Sequence, residues 1–75
     1  MGSYKITMTY ADGSVEEIAN SFISVERAKE YAENVIRQYA YDQSVKGKYD
    51  PGIYVKTFYL IKDGAGNIVF DSRRK

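Results

Sequence analysis

The chain of 75 residues predicts a single α+β domain with element order ββαββ. Three observations lead there. Two Asp-Gly turns each sit beside alternating apolar residues, and one long stretch between them carries apolar residues at helical spacing. Placing the third strand beside the first makes every neighbour antiparallel, so the sheet is four-stranded and antiparallel in the order 2-1-3-4. One helix packs on one face. The path from the second strand to the third then crosses between parallel strands, which favours a right-handed connection.

The first strand starts at Tyr4, where Tyr4, Ile6, Met8 and Tyr10 point one way and Lys5, Thr7 and Thr9 the other. Asp12-Gly13 closes a hairpin, because glycine accepts the positive φ that tight turns demand. The return strand, Ser14 to Ala19, fits less well. With a two-residue turn Tyr10 faces Val15 and Ile18 turns outward, so a bulge near Glu16-Glu17 is expected to bring both Val15 and Ile18 to the core.

Ser24 is placed to cap a helix, with Glu26 near the positive end of its dipole. Val25, Ala28, Ala32, Val35, Ile36 and Tyr39 form one narrow stripe, and the helix is expected to end between Ala40 and Asp42. Residues 42–52 then read as a polar connector ending in Pro51-Gly52. The run Ile53 to Lys62 reads as one long strand, apolar on both faces. Asp63-Gly64-Ala65-Gly66-Asn67 is a loop and Ile68-Val69-Phe70 returns, with Ile61 opposite Ile68, Leu60 opposite Val69 and Tyr59 opposite Phe70. The whole of 1–75 is one domain, with 1–3 and 72–75 expected as flexible ends.

Composition removes whole classes of chemistry. The chain has no His and no Cys, so no Ser–His or Cys–His pair, ordinary zinc site, thiolate nucleophile or disulfide framework is available. Formal net charge is +1, and it is uneven. Residues 1–37 hold six acids and four bases; residues 38–75 hold four acids and seven bases, three of them Arg73, Arg74 and Lys75. The basic character is therefore expected to belong to the tail. No apolar stretch approaches a membrane span and no secretory pattern opens the chain, so a cytoplasmic location without membrane contact is expected. Met1-Gly2-Ser3 starts like a myristoylation signal or an expression scar, but Ile6 stands where the lipidation motif wants Ser or Thr.

Two loops carry partial ligand-binding patterns that fail on specific residues. In residues 42–53, Asp42, Ser44 and Gly47 match a calcium loop, but Lys46 and Ile53 replace required oxygen donors. Gly64-Ala65-Gly66 joins two strands and precedes no helix, so it is a turn and no phosphate cradle. Glu16 and Glu17 diverge on a regular strand, and no acids, bases and nucleophiles converge. The expectation is no catalytic residues, no metal and no cofactor.

A single helix leaves the other side of the sheet uncovered, and that side is the expected functional surface. If Ile53, Val55, Tyr59 and Ile61 face the helix, then Tyr54, Lys56, Phe58, Leu60 and Lys62 face away, with Val69 beside Leu60. A solvated sheet face is ordinarily polar; an aromatic-aliphatic patch with a lysine rim suits a protein partner, either a second copy of the chain or a larger protein. The alternative is single-stranded nucleic acid on the same face with help from the basic tail. Tyr54-Val55-Lys56-Thr57-Phe58 resembles an RNA-recognition sheet in residue type only, lacking that family's strand glycines and second helix. In element order alone the chain resembles many small phage- or mobile-element inhibitors that block a larger host machine.

Overall fold

The computed structural model describes residues 3–74; Met1, Gly2 and Lys75, which belong to the expected flexible ends, lie outside the described residues. The chain runs β1 (Lys5–Thr9), β2 (Val15–Glu17), α1 (Val25–Val45), α2 (Gly52–Lys56), β3 (Phe58–Lys62) and β4 (Ile68–Asp71). The strands form one antiparallel sheet in the order β2-β1-β3-β4, with α1 packed against it. This is the ββαββ arrangement read from the sequence, with one short helix added.

The two hairpins share a turn. Tyr10 donates to Ser14 O at 2.8 Å and Gly13 to Tyr10 O at 2.9 Å; Asp63 donates to Asn67 O at 2.9 Å and Gly66 to Asp63 O at 3.0 Å. Each loop thus has three residues, with the glycine at φ 90° (Gly13) or 89° (Gly66), a conformation that side-chain-bearing residues avoid. Asp12 and Asp63 support the turns through their carboxylates: Asp12 accepts from Ser14 N–H at 2.9 Å, and Asp63 from Ala65 and Asn67 N–H at 2.9 Å each.

The loop length corrects the first hairpin. A three-residue loop shifts the register by one residue relative to a two-residue turn, which exchanges the faces of the whole return strand. Pairing is therefore continuous from Thr9↔Val15 through Thr7↔Glu17, and Ile18 donates to Ile6 O at 3.0 Å. No bulge interrupts Glu16-Glu17. Ile18 reaches the core without one, at 7% exposure, and Val15 faces outward at 63%.

The irregularity sits in the second hairpin instead. Lys62 pairs with Ile68, but Ile61 pairs with Phe70 and Leu60 with Asp71, which leaves Val69 as the extra residue of a bulge. The expected partners of Ile61 and Leu60 are thus displaced, although Tyr59 and Phe70 still meet diagonally with ring centroids 5.7 Å apart.

Helix α1 begins as expected, with Ser24 Oγ accepting from Arg27 N–H at 3.1 Å. It runs a turn further than the apolar stripe. Lys48 N–H donates to Gln43 O at 2.8 Å and Gly47 N–H to Ser44 O at 3.0 Å, with Gly47 at φ 72°. That paired closure around a left-handed glycine ends the helix. Polar Asp42-Gln43-Ser44 is helix surface.

The expected long strand from Ile53 begins only at Phe58. Asp50 O accepts from Ile53 N–H, and Asp50 Oδ1 from Gly52 N–H, at 2.9 Å each. Pro51 already has helical dihedrals, φ −54° and ψ −25°. Asp before Pro opens a helical turn, and here it overrides the β-propensity of Ile53-Tyr54-Val55. Ile53 is buried as expected, whereas Val55 points to solvent at 83% exposure.

The core lies between the sheet and α1. Ile6, Met8 and Ile61 are fully buried, beside Ile18 and Tyr59, and Ala28 and Ala32 supply the helix surface above them. Small side chains on α1 allow close approach to the larger ones on the strands. Among the described residues no helix is long and apolar enough to cross a membrane.

Candidate functional site

The uncovered side of the sheet follows directly from strand alternation and register. Ile6, Met8, Tyr59 and Ile61 face the helix, so Lys5, Thr7, Thr9, Phe58, Leu60 and Lys62 face away. Three cross-strand rows result. Lys5, Lys62 and Ile68 make the first; Glu17, Thr7, Leu60 and Asp71 the second; Val15, Thr9 and Phe58 the third. Arg73 extends the third row, its guanidinium carbon 4.1 Å from the centroid of the Phe58 ring.

Each strand contributes for a local reason. Phe58 and Leu60 reach this face because β3 alternates from the extended Thr57 onward, and both are half-buried. The bulge sends Ile68 and Val69 to the same side, where they are 56% and 44% exposed. Without the bulge only one of the two would be there. The contiguous apolar part of the face is therefore Phe58, Leu60, Ile68 and Val69 on β3 and β4, with Val15 exposed apart from them on β2.

Polar side chains tie down the surround. Arg73 grips Asp71 through Nε at 3.1 Å and Nη2 at 2.9 Å, and its own N–H donates to Asp71 Oδ1 at 3.0 Å. The guanidinium bonds hold the Asp71 carboxyl below the ordinary carboxylate range, and Asp71 keeps Arg73 above its ordinary value. Thr7 Oγ1 donates to Glu17 Oε1 at 2.6 Å. Ser72 N–H donates to Tyr59 O at 3.1 Å and Tyr59 N–H to Ser72 Oγ at 3.0 Å. The start of the basic tail is thereby part of the folded surface, with Arg73 lying over an aromatic ring.

Of the residues expected on this face, Phe58, Leu60, Lys62 and Val69 are on it. Tyr54 and Lys56 are not, because the turn at Asp50-Pro51 places both on α2. Tyr54 lies beside Glu33, Ile36 and Arg37 of α1, and Lys56 beside Tyr39, Gln43 and Ile53. Ile68, Asp71 and Arg73 were missing from the expected set. For Ile68 the signal is the Gly64-Ala65-Gly66 loop, whose three-residue closure sets it opposite Lys62; Asp71 and Arg73 follow from the bulge.

The helix side offers little chemistry. Burial raises the Tyr10 and Tyr59 hydroxyls above their ordinary range, and at Tyr10 the bond to Glu16 adds to it. Thr57 Oγ1 is buried without a hydrogen-bond partner among the described residues. No group of three or more metal-ligating side chains is found among those residues. Compared with family models, curated proteins and solved structures, the chain matches none.

Proposed function

We propose that the protein is a non-catalytic interaction module that docks a protein partner on the open face of its sheet. The observation that supports this most strongly is the arrangement around β3. One helix covers Tyr59 and Ile61, while Phe58, Leu60, Ile68 and Val69 gather on the side that the described residues leave uncovered. Burial of such a patch is worth about 25 cal/mol per Å² of apolar surface, and half-buried Phe58 and Leu60 supply its centre. The partner is either a second copy of the chain or a larger protein, the latter being how a small inhibitor of a larger machine would act. Lys62 on the rim sets orientation more than affinity.

The test is site-specific photo-crosslinking with a probe at Val69 and a control probe at Glu30 on the outer surface of α1, combined with sedimentation equilibrium. The reading expects adducts from Val69 that Glu30 does not give and that Leu60→Glu abolishes. Self-association would show as a mass above one chain at several hundred micromolar. A strict monomer that also gives no Val69-specific adduct overturns the proposal.

A further inference from the structure

Apolar burial does not account for one feature of the open face. Lys5 and Lys62 stand directly opposite each other in the β1–β3 ladder, both on the uncovered side. Directly opposed residues in an antiparallel pair hold their Cβ atoms about 4.5–5.5 Å apart, and like charges there repel. Opposite charges or polar residues would be the ordinary choice.

The fold does not neutralise the pair. Among the described residues the one ion pair is Arg73–Asp71, so neither lysine has a carboxylate within 4.0 Å. Lys5 Nζ donates sideways to Ala19 O at 3.1 Å, which leaves two of its three N–H groups free. Lys62 Nζ makes no hydrogen bond among the described residues. The two carboxylates that share the face are already engaged, Asp71 by Arg73 and Glu17 by Thr7. Beside Lys62 in its own row stands Ile68, and the next outward residue along β3 is Leu60.

Two lysines opposed across the ladder, their ammonium groups carried on flexible stems beside aliphatic side chains, have a definite complement. We propose that the open face receives an acidic, aliphatic segment of a protein partner, with one carboxylate bridging Lys5 and Lys62 and an adjacent aliphatic side chain resting on Leu60 and Ile68. This rests on the docking reading above and names the chemistry of what docks. A carboxylate has two oxygens, enough to accept from both ammonium groups at once. Nucleic acid fits less well. A phosphate run has no aliphatic group for Leu60 and Ile68, and its neighbouring charges would meet Glu17 and Asp71 in the next row.

The experiment is an NMR titration of the ¹⁵N-labelled full chain with three probes. The first is a blocked pentapeptide of alternating isoleucine, aspartate, leucine, aspartate and isoleucine. The second replaces both aspartates by asparagine, and the third is a ten-nucleotide oligothymidylate. The aspartyl peptide is expected to shift the amides of Lys5, Leu60, Lys62 and Ile68 and to bind at least tenfold more tightly than the asparaginyl one. Lys62→Glu should remove that preference; where it perturbs the spectrum broadly, Lys62→Gln serves instead. In the free protein Lys62→Glu should raise Tm, since it converts a like pair into an opposite one.

Equal binding of the two peptides on the face overturns the acidic partner while leaving docking intact. Tighter binding of the oligothymidylate to the same amides overturns it in favour of phosphate. No shift on the face with either peptide overturns it as well, and the crosslinking result at Val69 then decides separately whether the face docks anything.

Discussion

Ile61 and Leu60 are chain neighbours in the same strand, yet they occupy opposite environments. Ile61 is fully buried against Ile6, Met8 and the alanines of α1, while Leu60 is half-buried between Thr7 and Asp71 on a face that the described residues leave uncovered. The sheet therefore divides its work. One side holds the fold together by burial; the other keeps apolar side chains that the fold itself does not need covered. If the open face docks a partner as proposed, changes at adjacent residues should separate stability from docking.

The sharpest test of that division places a charge on each side. Tyr59→Glu buries an unpaired carboxylate beneath α1 and should abolish the cooperative transition in circular dichroism. Phe58→Glu sits one residue away on the open face and should leave a folded chain, with docking weakened. If Phe58→Glu also unfolds the protein, the two faces are not distinct in the way described.

Truncation should show the same contrast with smaller effects. Ile61→Ala leaves a cavity among fully buried neighbours and should cost about 2–5 kcal/mol in denaturant unfolding. Leu60→Ala should cost about 1 kcal/mol or less, since its side chain is already partly in water. Comparable losses at the two positions would mean that the open face is covered.

The turns belong to neither side, so changes there should lower stability without altering which face docks. Gly13→Ala and Gly66→Ala each force a side chain into a left-handed conformation. That should cost about 1–2 kcal/mol, and a Cβ at either position meets nothing within 4 Å, so the loss is conformational alone. A neutral result would mean that the glycine φ angles differ in solution.

Acid provides the gentlest probe. The hydrogen bond from Asn67 N–H leads those that hold the Asp63 carboxyl below its ordinary value of 3.8, so the folded chain binds that proton less readily than the unfolded one. Its contribution is complete above the unfolded value and is lost as pH falls through the folded one. Asp12 and Asp71 shift in the same direction. Thermal stability should therefore decline below about pH 4, and Asp63→Asn should flatten that decline while leaving the crosslinking pattern from Val69 unchanged.

Much of this architecture was legible in the sequence, and the failures have specific causes. Alternation at Tyr4–Tyr10, the alanine-rich stripe and the capping Ser24 established the sheet order and the helix. Asp12-Gly13 left the register open, because Asp-Gly serves two-residue and three-residue loops alike and only the hydrogen bond from Tyr10 to Ser14 decides between them. The fate of Tyr54 and Lys56 turned on Asp50-Pro51, a helix-opening pair that precedes a run rich in β-forming residues. Two of the six expected residues were consequently named from the wrong element, while Phe58, Leu60 and Lys62 lie on the face because alternation past Thr57 was unaffected. Ile68 follows from the three-residue loop that sets it opposite Lys62, whereas Val69, Asp71 and Arg73 depend on the bulge, which no local pattern announces.

The central β1–β3 ladder has a consequence for how the chain acquires its structure. Each hairpin closes locally, but the strands that join them, β1 and β3, pair only after the chain between Thr9 and Phe58 has doubled back, with α1 inside that excursion. Closing so long a loop is entropically costly before any contact rewards it. The rate-limiting barrier should therefore lie at the docking of the two hairpins through Met8, Tyr59 and Ile61. Either half expressed alone would be an orphan ribbon with one flank of its apolar side chains unmatched.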